Sequence, residues 1–438
     1  MTKKEIINIG FLGFGTVASG TLRILQEHYE ELSRRLDCHL RVKAICSPNI
    51  AKRDTSWVEA SVRRLTDPLT ILTDPEIDIV VEAIGGREPA NNYIRRAMEC
   101  GKSVITANKL LLAVAGAELA KLAATHNVSL GIEAAVAGGI PVLDAIRTGL
   151  AGERIESIHG ILNGTANYIL TEMEKSCRSF DELLADAQRL GYAEADPTLD
   201  IEGLDARDKL AVLVMLCFGV SLDPATIPTT GITRLHPDDF LYAHHIGYTI
   251  RLICTARRLK SGELAISVSP TLVPRKSILA KVEGVFNALL VTGVAGGCTM
   301  YYGRGAGGGP TGLAIVSDIV KIARELSVGV ANLSPPFNYR NLTEQSLAST
   351  TAFTSAYSLR FVVDDRPGII SQLAAILARH DINIDAVLQE KGYQNKRQLP
   401  FVITLDEAPE KNVQLALAEM NGLDFLVEPP LALPIENI

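Results

Sequence analysis

Short apolar runs rich in β-branched residues alternate with amphipathic stretches over the first 133 residues. Each run is followed by a turn signal or by a helical period. The runs lie at residues 6–13, 40–46, 77–85, 103–108 and 128–134. This alternation is typical of βαβ units, in which helices cover both faces of a parallel sheet. The pattern predicts a Rossmann-type, doubly wound α/β domain over residues 1–134, completed by about residues 305–332.

The order of elements changes between residues 135 and 304, where helical periods come first and strands follow. Helices are predicted near residues 164–174, 180–190 and 203–218, and strands at 248–259, 263–273 and 285–293. A turn at "KSGE" joins the first two strands, as expected in an antiparallel sheet. The pattern therefore predicts an α+β domain whose sheet is mainly antiparallel.

A third domain is predicted at residues 357–438, after a linker at 333–356 that is polar and contains a proline pair. Its predicted elements are a strand at 357–363, a helix at 369–380, strands at 382–390 and 399–405, a helix at 410–421 and a strand at 424–428. This βαββαβ order is that of a ferredoxin-like sandwich.

Composition and charge exclude several classes of protein. The chain has 438 residues, of which 47% are hydrophobic and 21% charged, and its formal net charge is −7. It has no basic block, so we expect no nucleic-acid partner. Its apolar segments fall short of the roughly 20 residues of a membrane span, and its seven cysteines form no CxxC pair. We therefore expect no membrane association, a cytoplasmic location and reduced core thiols.

A glycine motif follows the first predicted strand. In "GFLGFGTVASG", Gly13, Gly15 and Ala18 have GxGxxA spacing and lead into an amphipathic helix. Such spacing lets the backbone approach a pyrophosphate at the helix N-terminus, so it predicts dinucleotide binding.

The ends of the next strands indicate how the cofactor is bound. The second strand ends without a carboxylate, and Lys52 and Arg53 follow it, which favours NADP over NAD unless the two are simply solvated. Gly85 and Gly86 follow the third strand and leave room for the cofactor. Lys109 follows the fourth strand, at the sheet edge where the nicotinamide is expected.

An acidic stretch, "GYAEADPTLDIEGLDARDKL", precedes a long apolar run. Asp200 is a plausible helix N-cap, after which Glu202, Asp205 and Lys209 fall on one helical face. An exposed ion pair between Asp205 and Lys209 is the simpler interpretation of this spacing. The gathered carboxylates, together with Lys109, instead suit an amino-acid substrate that carries an ammonium and a carboxylate. Glu202 has no assigned role, and surface charge explains Asp196 and Asp208.

Several motifs, in the same order, resemble those of the homoserine dehydrogenase family over nearly the whole chain. They are "GFGTVASG", "VEAIGG", "GKSVITANK", "GIEAAVAGGIPV", "GILNGTANYIL", the acidic stretch and "GRGAGGGPT". "DDRPGIISQLAAIL" resembles an ACT domain, which the longer bacterial members carry. The resemblance implies NAD(P)-dependent interconversion of L-aspartate 4-semialdehyde and L-homoserine, in threonine, methionine and isoleucine biosynthesis. It also makes residues 135–304 the catalytic and dimerisation domain, in a homodimer or homotetramer.

The resemblance also implies roles for single residues. Lys209 is the proton donor, Lys109 a second lysine at the reacting oxygen, and Glu194 the carboxylate for the substrate's ammonium, with Asp200 and Asp205 in support. The implied cofactor contacts are Gly13, Phe14, Gly15, Thr16, Val17, Lys109, and Gly305 and Gly307 of the second glycine loop. A monovalent cation such as sodium is implied at Glu133 and at the backbone carbonyls of Val136, Gly138 and Ile140.

For the ACT domain, the resemblance implies threonine as a feedback inhibitor, bound near Asp365, Pro367, Gly368 and Asn383. The alternative is a domain that only mediates oligomerisation. Two other functions remain open, a related oxidoreductase for another amino-acid carbonyl and a catalytically silent amino-acid sensor. The sensor is disfavoured by the presence of both lysines and the second glycine loop. Gly312 stands where the family commonly has alanine, so we expect a slightly looser helix start there.

Overall fold

The computed structural model describes residues 4–339, 341–344, 354–389 and 398–438. The chain forms two compact units, each built from three stretches of sequence. Unit 1 comprises Met1–Glu156, Arg207–Thr226 and Asn287–Gln345, and unit 2 comprises Ser157–Ala206, Ile227–Phe286 and Ser346–Ile438. The predicted domain boundaries divide the chain differently and stay a prediction.

Unit 1 contains a six-stranded parallel sheet, which confirms the doubly wound α/β prediction. In spatial order its strands are Arg63–Leu65, His39–Cys46, Ile6–Leu12, Ile79–Glu82, Ser103–Thr106 and Leu130–Gly131. The edge strand Arg63–Leu65 was not predicted, because a short segment with two arginines lacks the apolar signal of a buried strand. The central strands are buried on both faces, as parallel sheets require.

Helices pack on both faces of this sheet. Those of unit 1 are Thr16–Glu27, Tyr29–Arg35, Leu69–Leu72, Ala90–Glu99, Lys109–Thr125, Val142–Asp144, most of Leu204–Phe218, and Gly308–Ser327. The unit also holds two neighbouring strands, Phe286–Gly293 and Gly297–Arg304, and a parallel pair, Val220–Ser221 with Thr343–Glu344.

Gly312 is the contact point between two helices of unit 1. A Cβ atom there would lie 2.7 Å from the backbone nitrogen of Thr21, and one at Gly20 would overlap the carbonyl of Gly308. The helices Thr16–Glu27 and Gly308–Ser327 therefore touch backbone to backbone. The expectation of a looser helix start at Gly312 is wrong, because the missing methyl group is what permits this close packing.

The first part of the predicted linker packs on unit 1. Phe337 is buried, the Tyr339 hydroxyl donates to the Cys217 carbonyl at 3.2 Å, and Arg147 donates to the Pro336 carbonyl at 3.0 Å. Within the predicted linker, residues 340 and 345–353 lie outside the described residues. Residues 333–339 thus belong to the fold of unit 1 despite their polar composition.

Unit 2 is built on a mixed sheet. In spatial order its strands are Ile155–Ile161, Tyr248–Arg258, Leu264–Pro274, Leu431–Ile435, Thr354–Asp364, Gln398–Pro409 and Ile384–Leu388. Neighbours are antiparallel except Leu264–Pro274 and Leu431–Ile435, which pair in parallel at Leu272 and Ile435. One sheet therefore runs from the α+β region into the C-terminal region.

The C-terminal region has the predicted ferredoxin-like topology, with strands in the spatial order 4-1-3-2. The last strand is not at residues 424–428, as predicted, but at Leu431–Ile435. Leu426 forms only an isolated bridge to Val363, because the prolines at 429 and 430 interrupt the ladder. Part of the predicted strand 382–390 is observed as Ile384–Leu388, and residue 390 lies outside the described residues.

The helices of unit 2 are Gly164–Ser176, Phe180–Arg189, Thr198–Ile201, the start of Leu204–Phe218, Pro237–His245, Ile369–Arg379 and Glu410–Met420. A buried ion pair fixes Pro237–His245 to the strand Thr354–Asp364. Arg360 lies 3.2 Å from Asp239 and 2.9 Å from Glu428, and it donates to the Arg234 carbonyl. Burial raises the pKa of Asp239 to about 6, while Arg360 opposes that rise.

Candidate active site

The first glycine motif forms a tight turn in unit 1. Gly13 has φ +97°, its N–H donates to the Cys46 carbonyl at 2.8 Å, and an added Cβ atom would overlap the Ala83 carbonyl. Gly15 precedes the helix Thr16–Glu27, and a Cβ atom there would meet nothing within 4 Å. Gly13 is thus required by packing, whereas Gly15 leaves the helix N-terminus open to a ligand.

An aromatic cluster adjoins this turn. The Phe14 ring stacks on Trp57 with centroids 6.1 Å apart, and the guanidinium of Arg23 lies 4.1 Å from the centre of the Trp57 ring. Lys52 and Arg53 are exposed in the preceding loop. Trp57 was not singled out in the sequence, where it appears as a lone aromatic residue in a polar segment.

The turn at Gly85 and Gly86 is held by a buried carboxylate. Glu82 accepts hydrogen bonds from the N–H groups of Ile84 at 2.7 Å and Gly85 at 3.1 Å, and from the Thr106 hydroxyl at 2.5 Å. Gly85 and Gly86 have φ of +81° and +74°. Both glycines therefore adopt the left-handed conformation that other residues avoid.

Asn108 joins this turn to the start of the helix Lys109–Thr125. Its side-chain oxygen caps the helix through Leu111 N–H at 3.1 Å, and its amide donates to the Gly86 carbonyl at 2.6 Å. Lys109 is consequently the first residue of a helix whose position is tied to the glycine turn. Asparagine before a helix is an N-cap signal, and Glu82 is a lone carboxylate in an apolar strand, so both were detectable in the sequence.

The second glycine loop lies against the first motif within unit 1. Gly307 has φ +115° and precedes the helix Gly308–Ser327, and a Cβ atom at Gly308 would lie 3.0 Å from Thr16. A Cβ atom at Gly305 would overlap the amide of Asn287. The N-terminal ends of two helices are therefore close together, and both carry partial positive charge that suits phosphate groups.

Glu133 is the centre of a buried charge cluster in unit 1. It is 2% exposed, and its carboxylate accepts from Leu143 N–H at 2.9 Å and Asp144 N–H at 2.8 Å. Its own N–H donates to Asp318 at 2.9 Å, and Arg147 lies 3.7 Å from its carboxylate. Burial, and then the charge of Asp318, raise the pKa of Glu133 to about 7. Burial raises the pKa of Asp318 to about 6.

The segment from Val136 to Ile140 is a buried turn beside this cluster. Gly138 has φ +31°, and the Ile140 carbonyl accepts from Val142 N–H at 2.7 Å. A carbonyl oxygen has two lone pairs, so that bond leaves one for a cation. No cluster of three His, Cys, Asp or Glu side chains that would hold a metal occurs in the described part of the chain. A cation here would depend on Glu133 and backbone oxygens.

A single amide connects two of the predicted substrate carboxylates in unit 2. Asn163 donates to Asp200 at 2.6 Å and to Asp205 at 2.9 Å, and its oxygen caps the helix Gly164–Ser176 through Ala166 N–H at 2.8 Å. Asn163 was missed, although "LNGT" is an N-cap pattern. Its amide fixes the separation of two like charges and partly compensates both.

The acidic stretch is divided into two helices. Gly203, at φ +77°, separates Thr198–Ile201 from Leu204–Phe218. The prediction that Asp200 caps the long helix is wrong, because Asp200 lies inside the short one. The shared face predicted for Glu202 is also wrong, since Glu202 lies before the break, where the Thr233 hydroxyl is 3.4 Å from its carboxylate.

Asp205 and Lys209 lie one turn apart on the long helix, and each is 7% exposed. The simpler interpretation, an exposed surface pair, is therefore wrong. Asp208 is also buried, 3.0 Å from Arg207, so its assignment as surface charge is wrong. Glu194 and Asp196 are exposed.

In the C-terminal region, Asp365 and Gly368 line a cavity of about 320 Å³ with Ser371, Gln389 and Phe401 among its other residues. Gly368, at φ +93°, precedes the helix Ile369–Arg379. Pro367 and Asn383 are exposed and are not among the residues lining this cavity, and the Asn383 carbonyl accepts from Asp406 N–H at 3.1 Å. The structure therefore brings two of the four predicted effector residues together at one cavity.

Comparison with known proteins assigns each region of the chain. The homoserine dehydrogenase family model matches residues 141–320, that of the homoserine dehydrogenase NAD-binding domain residues 13–133, and that of the ACT domain residues 357–424. Homoserine dehydrogenase of Neisseria gonorrhoeae is 39% identical over 434 residues, which cover 99% of each chain. The chain belongs to the homoserine dehydrogenase family.

Solved homoserine dehydrogenases share the fold. The enzyme from Thiobacillus denitrificans matches with a TM-score of 0.92 and 39% identity over 100% of both chains. A hyperthermophilic archaeal homoserine dehydrogenase in complex with NADPH matches with a TM-score of 0.61 and 26% identity, over 72% of this chain and 97% of its own.

These matches confirm the predicted enzyme class of a homoserine dehydrogenase, with an NAD(P)-binding domain and a C-terminal ACT domain. Lys109 and Lys209 belong to unit 1, whereas Glu194, Asp200 and Asp205 belong to unit 2. Among the helices that the structure describes, none has the length and apolar character needed to cross a membrane.

Proposed function

We propose that this homoserine dehydrogenase interconverts L-aspartate 4-semialdehyde and L-homoserine, with Lys209 as the proton donor and acceptor. The observation that carries this proposal is the burial of Lys209 one helical turn after Asp205, whose carboxylate is fixed by Asn163. Residues four positions apart on a helix share a face, so the fixed Asp205 carboxylate can orient the Lys209 side chain for proton transfer.

The chemistry places negative charge on the substrate oxygen as the aldehyde is reduced. When bound, the nicotinamide supplies the hydride to the carbonyl carbon. Lys209 gives a proton to the oxygen, and the ammonium of Lys109 stabilises the developing charge more strongly in the transition state than in the substrate. In the reverse direction Lys209 removes the hydroxyl proton. A positioned acid of this kind contributes about 10²- to 10⁴-fold in rate.

The remaining carboxylates bind the amino-acid part of the substrate. Glu194 takes its ammonium, while Asp200 and Asp205 support the substrate and orient Lys209. The hydrogen bonds from Asn163 to both aspartates support this assignment, because a side chain with two bonded neighbours keeps its geometry when the ligand leaves.

Cofactor binding is proposed at the edge of the parallel sheet in unit 1. The phosphates lie at the helix start formed by Gly13, Phe14, Gly15, Thr16 and Val17 and at the loop of Gly305 and Gly307. Lys52 and Arg53 favour NADP because they suit a 2′-phosphate. Gly85, Gly86 and Lys109 lie toward the nicotinamide. The hydrogen bonds of Glu82 and Asn108 to the turn at Gly85 and Gly86 support this position for the nicotinamide, because they hold the turn near the start of the Lys109 helix.

A monovalent cation such as sodium is proposed at Glu133 with the carbonyls of Val136, Gly138 and Ile140. The raised pKa of Glu133 supports it, because a cation would relieve the cost of a buried negative charge. Threonine is proposed as an effector at the ACT domain, near Asp365 and Gly368, with Pro367 and Asn383 close by in sequence. A homodimer or homotetramer is proposed as the assembly.

Initial rates test the proposal directly. The oxidation of L-homoserine and of other amino-acid alcohols is measured with NAD and NADP, each with and without millimolar L-threonine. We expect activity with homoserine, a lower KM for NADP than for NAD, and inhibition by threonine. Faster turnover of another amino-acid alcohol would favour the related oxidoreductase. Threonine that changes neither rate nor assembly would leave the ACT domain with the oligomerisation role alone.

A further inference from the structure

A second cavity of about 120 Å³ lies inside unit 2, away from the turn at Asp365 and Gly368. We call it the junction cavity, because its walls come from the strands Tyr248–Arg258 and Leu264–Pro274 on one side and from the ACT region on the other. Its polar residues include Thr255, Arg257, Ser267, Tyr357, Glu410 and Glu436. The volume equals that of about four water molecules, far below the 300–1,000 Å³ of pockets for larger organic ligands.

Tyr357 lines the cavity with a hydroxyl that has no hydrogen-bond partner in the described part of the chain. The residue is 7% exposed, and its hydroxyl makes no hydrogen bond to any residue in the described ranges. Burial, and then the charges of Glu410 and Glu436, raise its pKa above the usual value. The Tyr357 hydroxyl is therefore available to form a hydrogen bond with a ligand inside the cavity.

The charged residues of the junction cavity are not paired with one another. Arg257 forms no ion pair in the described part of the chain, and it donates only to the Thr354 carbonyl at 3.4 Å. The Glu410 carboxyl makes no hydrogen bond there either, and burial raises its pKa. Glu436 lies 3.4 Å from the Thr255 hydroxyl and 3.4 Å from His159. A guanidinium and two carboxyl groups thus line one small space without neutralising each other.

A small molecule that carries one negative and one positive group would match the guanidinium and the carboxyl groups of the cavity wall. A carboxylate suits Arg257, whose planar guanidinium favours bidentate pairing. An ammonium suits Glu410 and Glu436, and the Tyr357 hydroxyl bonds to a polar group of the ligand. We propose that the junction cavity is an amino-acid-binding site, separate from the cavity at Asp365 and Gly368. The inference extends the proposed regulation of the enzyme by an amino acid.

Occupation of this site would join two parts of unit 2. The ligand would contact Arg257, on a strand of the α+β region, and Tyr357 and Glu410, in the ACT region. A ligand that binds only the assembled form stabilises it by mass action. The site therefore couples amino-acid binding to the contact between these regions.

Thermal unfolding of the full-length protein, with each standard L-amino acid at about 10 mM, tests the inference. A ligand at about ten times its Kd should raise the unfolding midpoint by about 1.5 °C. Arg257→Met should abolish the shift for at least one amino acid. Tyr357→Phe, which preserves the shape of the side chain, should weaken the affinity for the same one about tenfold. Asp365→Ala, at the other cavity, is the matched control and should retain this shift.

Two outcomes would overturn the inference. One is that no amino acid shifts the midpoint; the other is that every shift survives Arg257→Met and Tyr357→Phe. Should Arg257→Met fail to fold, the Tyr357→Phe titration decides. Oxidation of homoserine without added effector is measured on the same samples. Normal turnover with no Arg257-dependent shift defeats only the junction site, whereas absence of turnover defeats the proposed function.

Discussion

The proposed cofactor site of unit 1, here called the cofactor edge, and the carboxylate cluster of unit 2, formed by Asp200 and Asp205 around Asn163, are built in different ways. At the cofactor edge, backbone geometry sets the arrangement: Gly13 and Gly307 have φ of +97° and +115°, and Gly20 touches the facing helix. In the carboxylate cluster, one side chain sets it, since Asn163 holds both Asp200 and Asp205. Substitutions at a site that the backbone builds should lower the stability of the protein. Substitutions at a site that side chains build should lower the catalytic rate and leave the fold intact.

Lys209→Ala should have the largest effect of the substitutions considered, and this effect should be confined to kcat. Loss of the proton donor should lower kcat by about 10²- to 10⁴-fold, while the affinity for NADPH, measured by fluorescence titration, should be unchanged. Lys175→Ala removes an exposed lysine that pairs with Glu283 and is the control, with kcat near the wild-type value. A kcat of Lys209→Ala within about threefold of wild type would contradict the proton-donor role.

Gly13→Ala should have the second largest effect, and this effect should be on the stability of the protein. A Cβ atom there overlaps the Ala83 carbonyl at a φ that alanine avoids, so we expect a loss of about 2–4 kcal/mol in the free energy of unfolding by urea. Gly15→Ala is the matched control, because its added Cβ meets nothing within 4 Å. Gly15→Ala should leave the free energy of unfolding nearly unchanged and weaken only the binding of the cofactor. Equal losses of unfolding free energy in the two variants would contradict the view that packing requires a glycine at position 13 and not at position 15.

Asn163→Ser separates the two roles of this residue in unit 2. Serine still caps the helix Gly164–Ser176, but it lacks the amide that donates to both aspartates. The kcat/KM for homoserine should fall about tenfold, from the loss of about 1.4 kcal/mol of positioning, with little change in melting temperature. Asn163→Ala should lose about 1 kcal/mol of stability as well, because it also removes the cap. Unchanged kinetics in Asn163→Ser would refute the positioning role.

Glu133→Gln should have an effect that is visible only in the pH dependence of stability. The pKa of Glu133 is raised from 4.5 to about 7 in the folded state. The folded protein therefore binds the proton more tightly, and stability is lost as pH rises through 7. Between pH 5 and 8, wild type should lose about 2.5 kcal/mol relative to the variant.

A contrasting carboxylate provides the control for that pH profile. Backbone N–H groups of Ala295 and Gly296 lower the pKa of Glu153. Glu153→Gln should therefore change the slope only in acid, where wild type loses stability as pH falls. Sodium chloride, compared with choline chloride, should restore stability to wild type at pH 8 and not at pH 5. A sodium effect that persists in Glu133→Gln would place the cation elsewhere.

The sequence predicted the elements of both regions better than their contacts. The strands and glycine turns of unit 1 are local features, so periodicity and spacing located them. The bonds from Asn163 to Asp200 and Asp205 join residues 37 and 42 positions apart. No periodicity encodes such a contact. The helix break at Gly203 was also missed, since acidic residues on either side of it fit one continuous helix.

Burial of charge was the other feature that the sequence did not indicate. Asp208 looks like a surface residue by type, yet it is buried, with the Arg207 guanidinium of the same helix 3.0 Å from its carboxylate. The final strand was misplaced for a related reason. Residues 424–428 are apolar enough for a strand, but the partner edge is filled by Leu431–Ile435 beyond the two prolines.

The strand Leu431–Ile435 pairs on both sides, with Leu264–Pro274 and with Thr354–Asp364. A chain cut after residue 424, where the ACT family model ends, would leave two sheet edges bare at once. Unpaired edges recruit other chains, so such a truncated protein should aggregate even though its enzymatic residues are intact. The strand Leu431–Ile435 therefore completes the sheet by joining the α+β region to the ACT region.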